Sequence, residues 1–254
     1  MKILEVNALQ KIYTTRFGGN KVEALKNVSF SVDAGEYVAI MGESGSGKTT
    51  LLNILAALDK PTNGTVYLDG ESLSDIKESK IAAFRRDNLG FVFQDFNLLD
   101  TFSLKDNIFL PLVLAGKHHS EMETLIKPIA AQLGITDLLK KYPYEVSGGQ
   151  KQRAAVARAL ITNPKLVLAD EPTGALDSKA TDELLRLFSE INQNGQTILM
   201  VTHSVKAASH ASRVLFIKDG EVFHQLYRGD CSNEQLYQKI SDTLTLLATG
   251  GDNR

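Results

Sequence analysis

The sequence has only one cysteine among its 254 residues, Cys231, so the chain cannot form an internal disulfide bond. This excludes a small fold held together by disulfides and fits a reducing cytosolic setting. Cys231 lies in a polar, turn-like run, RGDCSNE, that carries no activating motif. A catalytic thiol is therefore not expected.

Long hydrophobic runs and excess charge are also missing. The longest uninterrupted apolar run, IFLPLVLA, contains a proline and is far shorter than the about 20 residues of a membrane span. The start, MKILEVNAL, has no basic flank, apolar core or cleavage site of a signal peptide. The formal net charge of -2 gives no basic surface for nucleic acid. We therefore expect a soluble chain that does not cross a bilayer by itself and has no nucleic-acid partner.

Short apolar runs bounded by glycine, aspartate or asparagine occur near both ends of the chain and predict strands. These runs are ILEVNAL, VSFSV, YVAIM, TVYLDG, LVLAD, TILMVTH, RVLFIKDG and EVFHQL. From about residue 104 to residue 162 the pattern is helical, which predicts a helical subdomain inserted into an α/β core. Gly134, Gly195 and Gly220 fall where helices or hairpins are expected to end.

The C-terminal run QLYQKISDTLTLL places four apolar side chains on one helical face, those of Leu236, Ile240, Leu244 and Leu247. We expect a helix packed on the chain's own core, followed by a frayed polar end, GGDNR. A contact with a partner or a membrane surface is the alternative.

A phosphate-binding loop is predicted by MGESGSGKTT, which follows an apolar strand and precedes a helix-like run. Gly42, Gly47, Lys48 and Thr49 satisfy GxxxxGK[ST] in that setting. Glycines allow successive backbone N–H groups to turn towards phosphates, and the positive end of the helix dipole faces them. Lys48 supplies a charge to the β- and γ-phosphates, and the Thr49 hydroxyl is suited to bind Mg²⁺.

Two carboxylates, Asp170 and Glu171, end the apolar strand LVLAD. Next to a phosphate loop they suit a magnesium site and the polarisation of an attacking water, whereas alone they could be a solvated strand end or a helix cap. A second glycine pair, in YEVSGGQKQR, opens another helix and raises the question of why one chain has two anion-binding helix starts.

These motifs resemble those of the nucleotide-binding subunits of ABC transporters over nearly the whole chain. GESGSGKT resembles the Walker A motif, KLVLADE resembles Walker B, and VSGGQ resembles the signature LSGGQ with Val146 in place of leucine. The resemblance implies an α/β fold: a P-loop NTPase (RecA-like) core with an antiparallel β subdomain and an inserted α-helical subdomain. It implies one nucleotide-binding domain over residues 1–254, with the core at about 1–95 and 163–230, the helical signature subdomain at about 96–162, and a C-terminal helix and tail at 231–254.

The resemblance also implies an ATPase that uses ATP and Mg²⁺. Glu171, His203 and Gln94 are the implied catalytic residues, and Thr49, Gln94 and Asp170 are the implied magnesium ligands. Tyr13 in LQKIYTT matches the aromatic residue that stacks on adenine. The implied nucleotide-binding residues are Tyr13, Gly42, Ser44, Gly45, Ser46, Gly47, Lys48, Thr49, Thr50, Ser147, Gly148, Gly149, Gln150 and Asp177.

In the family, two chains pack head to tail and Ser147 and Gly149 of one would complete the ATP site of the other. GALDS resembles the loop at that subunit boundary, although Gly174 stands where the family often has serine. The implied partners are thus a second copy, with ATP sandwiched between the two, and a separate integral-membrane permease that holds the chain at the cytoplasmic face of the plasma membrane. Phe96, Leu98 and Leu99 mark the expected docking groove for the permease.

The runs FVFQDFNLL, NIFLPL and EPTGALDS resemble the subgroup that serves lipoprotein release, macrolide efflux and antimicrobial-peptide resistance. QDFNLLDT and FIKDGEVFHQL are most similar to the ATPases of bacitracin-type resistance exporters. Lipoprotein release, cell division and macrolide efflux remain possible roles. A non-transport ABC ATPase would need a coiled-coil insertion or a second cassette, and a P-loop GTPase or kinase would lack SGGQ and would need a base-reading motif of the NKxD type.

Overall fold

The fold is described by a computed structural model that covers residues 1–14, 19 and 21–249. The expected polar end GGDNR, at residues 250–254, lies outside the described residues. The strands are β1 (Lys2–Thr14), β2 (Lys21–Asp33), β3 (Tyr37–Met41), β4 (Asn63–Leu68), β5 (Glu71–Ser72), β6 (Leu89–Val92), β7 (Leu166–Asp170), β8 (Ile198–Val201), β9 (Arg213–Lys218) and β10 (Glu221–Tyr227). All eight runs that predict strands fall on these elements, whereas β5 and β6 are not among those runs.

The helices carry the periodic apolar runs of the middle and the end of the chain. They are α1 (Lys48–Leu55), α2 (Glu78–Asn88), α3 (Leu104–Leu114), α4 (His119–Gln132), α5 (Gly148–Leu160), α6 (Ser178–Gln193), α7 (Val205–Ala208) and α8 (Asn233–Thr249). Three single-turn 3-10 helices lie at Leu73–Asp75, Thr136–Leu138 and Pro143–Glu145. Gly134 and Gly195 follow α4 and α6 with positive φ angles, and Gly220 lies in the turn between β9 and β10, as predicted.

The strands form two sheets. One has four antiparallel strands in the order β2-β1-β4-β5. The other has six strands in the order β10-β9-β3-β8-β7-β6, of which only β10 pairs antiparallel with its neighbour. The fold class predicted from the sequence, a P-loop core with an antiparallel β subdomain and helices inserted between β6 and β7, is confirmed. The domain boundaries stay a prediction.

The five parallel strands of the six-stranded sheet are buried on both faces, which explains their continuous apolar sequences, whereas the edge strand β10 is largely exposed. Along β3, Val38 and Ile40 point into a core shared with α1 and the four-stranded sheet. Tyr37, Ala39 and Met41 point to the opposite face, where α3 to α6 pack. The sheet therefore fixes the ends of β3, β8 and β7 side by side, and the loops after these strands meet at one edge.

The C-terminal helix α8 packs on the chain's own core, as expected. Leu236 and Ile240 are fully buried, and Leu244 and Leu247 pack against the same core. The Lys218 ammonium donates to the Leu247 carbonyl and fastens the last turns to β9. The apolar face that the sequence predicts is therefore occupied within the chain.

Candidate functional site

The loop between β3 and α1 is tightly wrapped at two glycines. A Cβ on Gly42 would lie 2.2 Å from the Ile217 carbonyl oxygen, and a Cβ on Gly47 would lie 2.4 Å from the Ala24 carbonyl oxygen. Gly47 also has a φ of 100°, which a side chain would strain. Any larger residue at either position would push the loop outward, so both glycines are required for a close cradle.

The start of α1 offers unpaired donors to that cradle. Its first internal bond runs from the Leu51 N–H to the Gly47 carbonyl, so the N–H groups of Lys48, Thr49 and Thr50 have no partner within the helix. No acidic side chain occupies the first turn. The buried Ser46 hydroxyl likewise has no hydrogen-bond partner among the described residues. This donor set, with the dipole of α1, fits the phosphates of a nucleotide.

Lys48 is folded back onto the loop that precedes it. Its ammonium donates to the carbonyls of Gly42 and Glu43, both at 2.8 Å. Burial lowers the pKa of Lys48, whereas Glu171 and Asp170 oppose that shift. The cation is therefore held over the loop, facing two carboxylates.

One cavity of about 420 Å³ joins the loop to the carboxylates, and we call it the P-loop cavity. Its lining includes Lys48 and Thr49 from α1, Asp170 and Glu171 from the end of β7, and His203 from the loop after β8. Burial raises the pKa of Asp170, Glu171 adds to this rise, and Lys48 opposes it. The structure thus brings together Lys48, Thr49, Asp170, Glu171 and His203, whereas Gln94 is not among the residues that line this cavity.

The Glu171 carboxylate is held by two hydrogen bonds and by a close contact with the His203 ring. The Nδ1 atom of His203 lies 2.8 Å from Oε1, while Oε2 accepts from the Thr202 hydroxyl at 3.0 Å and from the His203 N–H at 3.2 Å. The backbone of Glu171 has a φ of 44°, a left-handed conformation that is uncommon for glutamate. Sequence reasoning missed Thr202, although it immediately precedes His203 in VTHS.

Gln94 is exposed at the end of β6 and is not among the residues that line the P-loop cavity. Its side chain lies against Gly174, where a Cβ would come within 2.8 Å of Cδ of Gln94. The observed position of the Gln94 side chain therefore requires a glycine at position 174. In the described state Gln94 contacts the segment that follows Glu171.

Tyr13 is partly exposed and anchored by its hydroxyl, which donates to Oδ2 of Asp59 at 2.8 Å. Lys11 lies 4.8 Å from the ring centroid and donates to Oδ1 of Asp59 at 2.6 Å. Burial and the Asp59 hydrogen bond raise the pKa of Tyr13, and the side chain of Thr50 lowers it. The Tyr13 side chain therefore lies next to Thr50, at the start of α1. Two residues that were not predicted from the sequence, Lys11 and Asp59, hold it in place.

The second glycine pair lies at a different place. Ser147 caps α5, accepting from the Gln150 N–H while Gln150 accepts from the Ser147 N–H. Ser147, Gly149, Gln150 and Asp177 line a separate cavity of about 260 Å³, which we call the signature cavity. The signature cavity shares no lining residue with the P-loop cavity. Within one chain the two predicted anion sites are therefore not brought together.

A family model described as "ABC transporter" matches residues 25–174, a stretch that includes the P-loop, the signature helix and both carboxylates. The chain belongs to the ABC transporter family. It is an ATPase of that family, as the motifs predicted.

Full-length relatives support this assignment. The chain is 51% identical over 246 residues to the ABC transporter ATP-binding protein YxdL of Bacillus subtilis, covering 96% of this chain and 94% of that protein. It is 47% identical to the bacitracin export ATP-binding protein BceA of Halalkalibacterium halodurans, covering 97% of both. Among solved structures it resembles the dimeric post-hydrolysis state of the ATP-binding cassette MJ0796 bound to ADP and Pi, with a TM-score of 0.79 and 38% identity, covering 88% of this chain and 98% of that chain.

An apolar groove of about 400 Å³ lies between α2, α3 and α5. Its side chains include Leu58, Phe91, Phe93, Leu110, Pro111 and Leu114, with Arg85, Arg86 and Arg158 beside them. Of the three residues that marked the expected docking groove of this ABC ATPase, Leu98 packs on the core and Phe96 is partly buried, because the loop after Gln94 turns back onto α5. Only Leu99 is strongly exposed, at 47%.

Within residues 1–14, 19 and 21–249, no helix is long and apolar enough to span a membrane. The same residues contain no group of three or more histidine, cysteine, aspartate or glutamate side chains arranged to hold a metal ion. A magnesium ion at the P-loop would accordingly draw its other ligands from hydroxyl groups, water and the nucleotide phosphates.

Proposed function

We propose that this chain binds and hydrolyses ATP between two copies of itself and thereby powers a separate membrane permease that exports, or confers resistance to, antimicrobial peptides of the bacitracin kind. The observation that carries the proposal is the separation of the two cavities. One holds the phosphate loop and the carboxylates, and the other holds Ser147 and Gly149. Neither cavity alone surrounds a nucleotide.

ATP binding rests on the P-loop. The free N–H groups at the start of α1 and the Lys48 ammonium receive the β- and γ-phosphates. Tyr13 supplies a flat ring for the adenine, and the contacts of its hydroxyl with Asp59 and of its ring with Lys11 limit its rotation. Stacking on one ring is weakly base-selective, so the phosphate contacts dominate the affinity.

Hydrolysis is the attack of water on the γ-phosphorus, with cleavage of the bond to the bridging oxygen of ADP and loss of a water proton. Glu171 orients and polarises that water, because its carboxylate retains lone pairs beyond those used by Thr202 and His203. His203 holds the carboxylate and reaches towards the γ-phosphate. Gln94 takes part when it moves from Gly174 to the cavity.

Mg²⁺ fits the oxygen donors at the cavity. Thr49 and Asp170 of the cavity would hold it, Gln94 would join them after leaving Gly174, and the ion would neutralise the charge of the phosphates. The half-buried Asp170 carboxyl, whose pKa is raised by burial and by Glu171, would be stabilised in its ionised form by a neighbouring cation.

A second copy would complete the site in a symmetric dimer. Ser147, Gly148, Gly149 and Gln150 of one chain would face the γ-phosphate held by the P-loop of the other, with the positive end of α5 directed at it. Asp177 lines the same signature cavity and would lie at the boundary. The resemblance to a dimeric cassette supports this arrangement.

A permease would receive the motion of the dimer. The apolar groove with its three arginines suits a short helix with apolar residues and acidic or carbonyl groups, and it adjoins the end of β6 that leads to Gln94. Leu99 would extend this contact. Docking on the permease would place the chain at the cytoplasmic face of the plasma membrane.

The peptide-export assignment is favoured over macrolide efflux by the extent of the matches. The bacitracin export relative is matched over 97% of its length. The macrolide export relatives, at 42% and 45% identity, are matched over only 35% of theirs, because each is named as a joined ATP-binding and permease protein. Lipoprotein release and cell division are two further roles that an ATPase of this family could power.

The test is a deletion of this chain in its own cells. The account predicts greater sensitivity to bacitracin-type peptides, unchanged sensitivity to macrolides, and rescue by the wild type but not by Glu171→Gln. Macrolide sensitivity alone would shift the assignment to macrolide efflux. Purified wild type that turns over GTP but not ATP would contradict the ATPase itself.

A further inference from the structure

Gln152 is a fully buried polar side chain on α5, little more than one helical turn beyond the capping residue Ser147. The other buried residues of this helix are alanine and valine. A buried amide among small apolar side chains calls for a physical reason, because its polar groups must be satisfied without water.

The Gln152 side chain joins two loops of the catalytic core. Its Nε2 atom donates to the Phe93 carbonyl at 3.0 Å and to the Pro172 carbonyl at 2.7 Å. Phe93 immediately precedes Gln94, and Pro172 immediately follows Glu171. Since both neighbours are acceptors, only the amide nitrogen can face them, which fixes the orientation of the amide.

The same helix also holds the far end of the loop that contains Gln94. Arg158 donates to the carbonyls of Phe96 and Asn97, which both have positive φ angles. The loop is therefore bound to α5 on both sides of Gln94. From the same helix, Gln152 reaches the segment that follows Glu171 through the Pro172 carbonyl.

The remaining polar atom of this side chain is unsatisfied. Oε1 of Gln152 accepts no hydrogen bond from the described part of the chain, although it is buried. An apolar residue of similar length would leave no such orphan, so packing alone does not account for glutamine here. Nε2 donates two hydrogen bonds and Oε1 is free to accept one. Such a side chain is suited to link two loops and to exchange hydrogen-bond partners when the loops move.

We propose that Gln152 is a positioning residue that transmits the placement of the signature helix to Gln94 and Glu171 of the same chain. When Ser147 and Gly149 engage a nucleotide, α5 shifts, and the Gln152 amide carries the carbonyls of Phe93 and Pro172 with it. Gln152 does not touch ATP. It acts through Gln94, which follows Phe93, and through Glu171, which precedes Pro172. The inference rests on the proposed ATP hydrolysis.

Gln152→Met tests this link between the two loops, because methionine keeps the length of the side chain and removes its N–H donors. The expected result is a kcat about tenfold lower, with KM and the affinity for ATP within about twofold of the wild type. Gln196→Met is the matched control: its Nε2 also donates to two carbonyls, those of Pro164 and Thr197, far from the catalytic loops. The control is expected to keep the wild-type kcat.

Gln152→Glu separates positioning from packing. A carboxyl that faces two carbonyls has a raised pKa, and its protonated form donates one hydrogen bond. The kcat of this variant relative to the wild type should therefore rise as the pH falls from about 8.5 to about 6.5, while the ratio for Gln152→Met stays flat. Assays well below the melting temperature of each variant keep all chains folded.

A Gln152→Met enzyme with a kcat within about twofold of the wild type would overturn the proposal. Equal losses of kcat in Gln152→Met and Gln196→Met would overturn it too, because the effect would then be general destabilisation. A wild type that does not hydrolyse ATP would contradict the proposed function. An active wild type together with an equally active Gln152→Met variant would contradict only the role of Gln152.

Discussion

His203 holds Glu171 through both its side chain and its backbone: Nδ1 lies 2.8 Å from Oε1 of the carboxylate, and the N–H donates to Oε2. With Thr202 as the third partner, the carboxylate is fixed although the backbone at Glu171 adopts a left-handed conformation. The carboxylate that we propose activates water is therefore oriented by the chain's own residues, which would lower the reorganisation needed for hydrolysis.

Thr202→Val should reduce kcat about tenfold or more with little change in ATP affinity. The valine keeps the shape of the buried threonine and removes the hydroxyl that donates to the charged carboxylate. Steady-state hydrolysis and nucleotide titration measure the two effects. Thr202→Ser retains the hydroxyl and serves as the control. A valine variant as active as the serine variant would remove Thr202 from the site.

Lys48→Ala and Glu171→Gln should separate binding from turnover. The first removes a cation from the phosphate cradle, so ATP affinity falls along with hydrolysis. The second keeps the shape of the side chain, so nucleotide is retained and turnover is lost. Binding of a fluorescent ATP analogue measures the difference, with the exposed Lys60→Ala as a control. Equal ATP affinity in the wild type and Lys48→Ala would contradict the role of the lysine.

Gly174→Ser should alter the state of Gln94. The new Cβ would come within 2.8 Å of Cδ of Gln94, so the glutamine must leave the segment after Glu171. We expect a changed kcat with ATP affinity within about twofold of the wild type, since the P-loop cavity is not lined by either residue. Gly229→Ser controls for the general strain of replacing a glycine, because its φ is 55° and the new Cβ would meet no atom within 4 Å. Indistinguishable kcat values for Gly174→Ser and the wild type would contradict the contact.

Asp170→Asn should raise the melting temperature of the nucleotide-free protein at pH 7.5. Burial and Glu171 raise the pKa of Asp170, so folding disfavours its ionised form. The contribution of Asp170 to the free energy of unfolding is therefore fully present below its unfolded pKa of about 3.9. It is lost as the pH rises through the pKa of Asp170 in the folded protein. Asparagine cannot ionise, so the variant does not lose this stability at high pH. Calorimetry at pH 7.5 and at about pH 4.5 should show the gap shrinking at the lower pH, and a gap that grows on acidification has the wrong sign.

Much of the fold could be predicted because its signals are local. YVAIM and LVLAD are buried on both faces and read as continuous apolar strands, and GxxxxGK[ST] needs only neighbouring residues. The contacts of Thr202, Asp59 and Gln152 could not be predicted in this way. Each joins segments 20 or more residues apart in the sequence. Only the order of strands in the sheet brings such segments together.

The expectation that Phe96 and Leu98 are exposed was wrong in part for the same reason, whereas the docking of a permease stays a prediction. Phe96 and Leu98 follow a polar turn and look exposed in the sequence. In the fold, Arg158 binds the Phe96 carbonyl and draws that loop onto α5, and the apolar groove between α2, α3 and α5 is lined by other apolar residues, such as Leu110 and Leu114. The separation of the two anion sites was predictable only through the family resemblance, since no local pattern states the distance between them.

Mixing two inactive variants tests the central claim, that each ATP site is built from two copies of the chain. Lys48→Ala removes the phosphate cation and leaves the signature intact, whereas Ser147→Arg blocks the signature and leaves the P-loop intact. Each should be inactive alone, and an equal mixture should recover up to about a quarter of the wild-type rate, because half of the dimers then hold one complete site. A mixture that stays inactive, or a Ser147→Arg chain with full activity alone, would contradict the shared site.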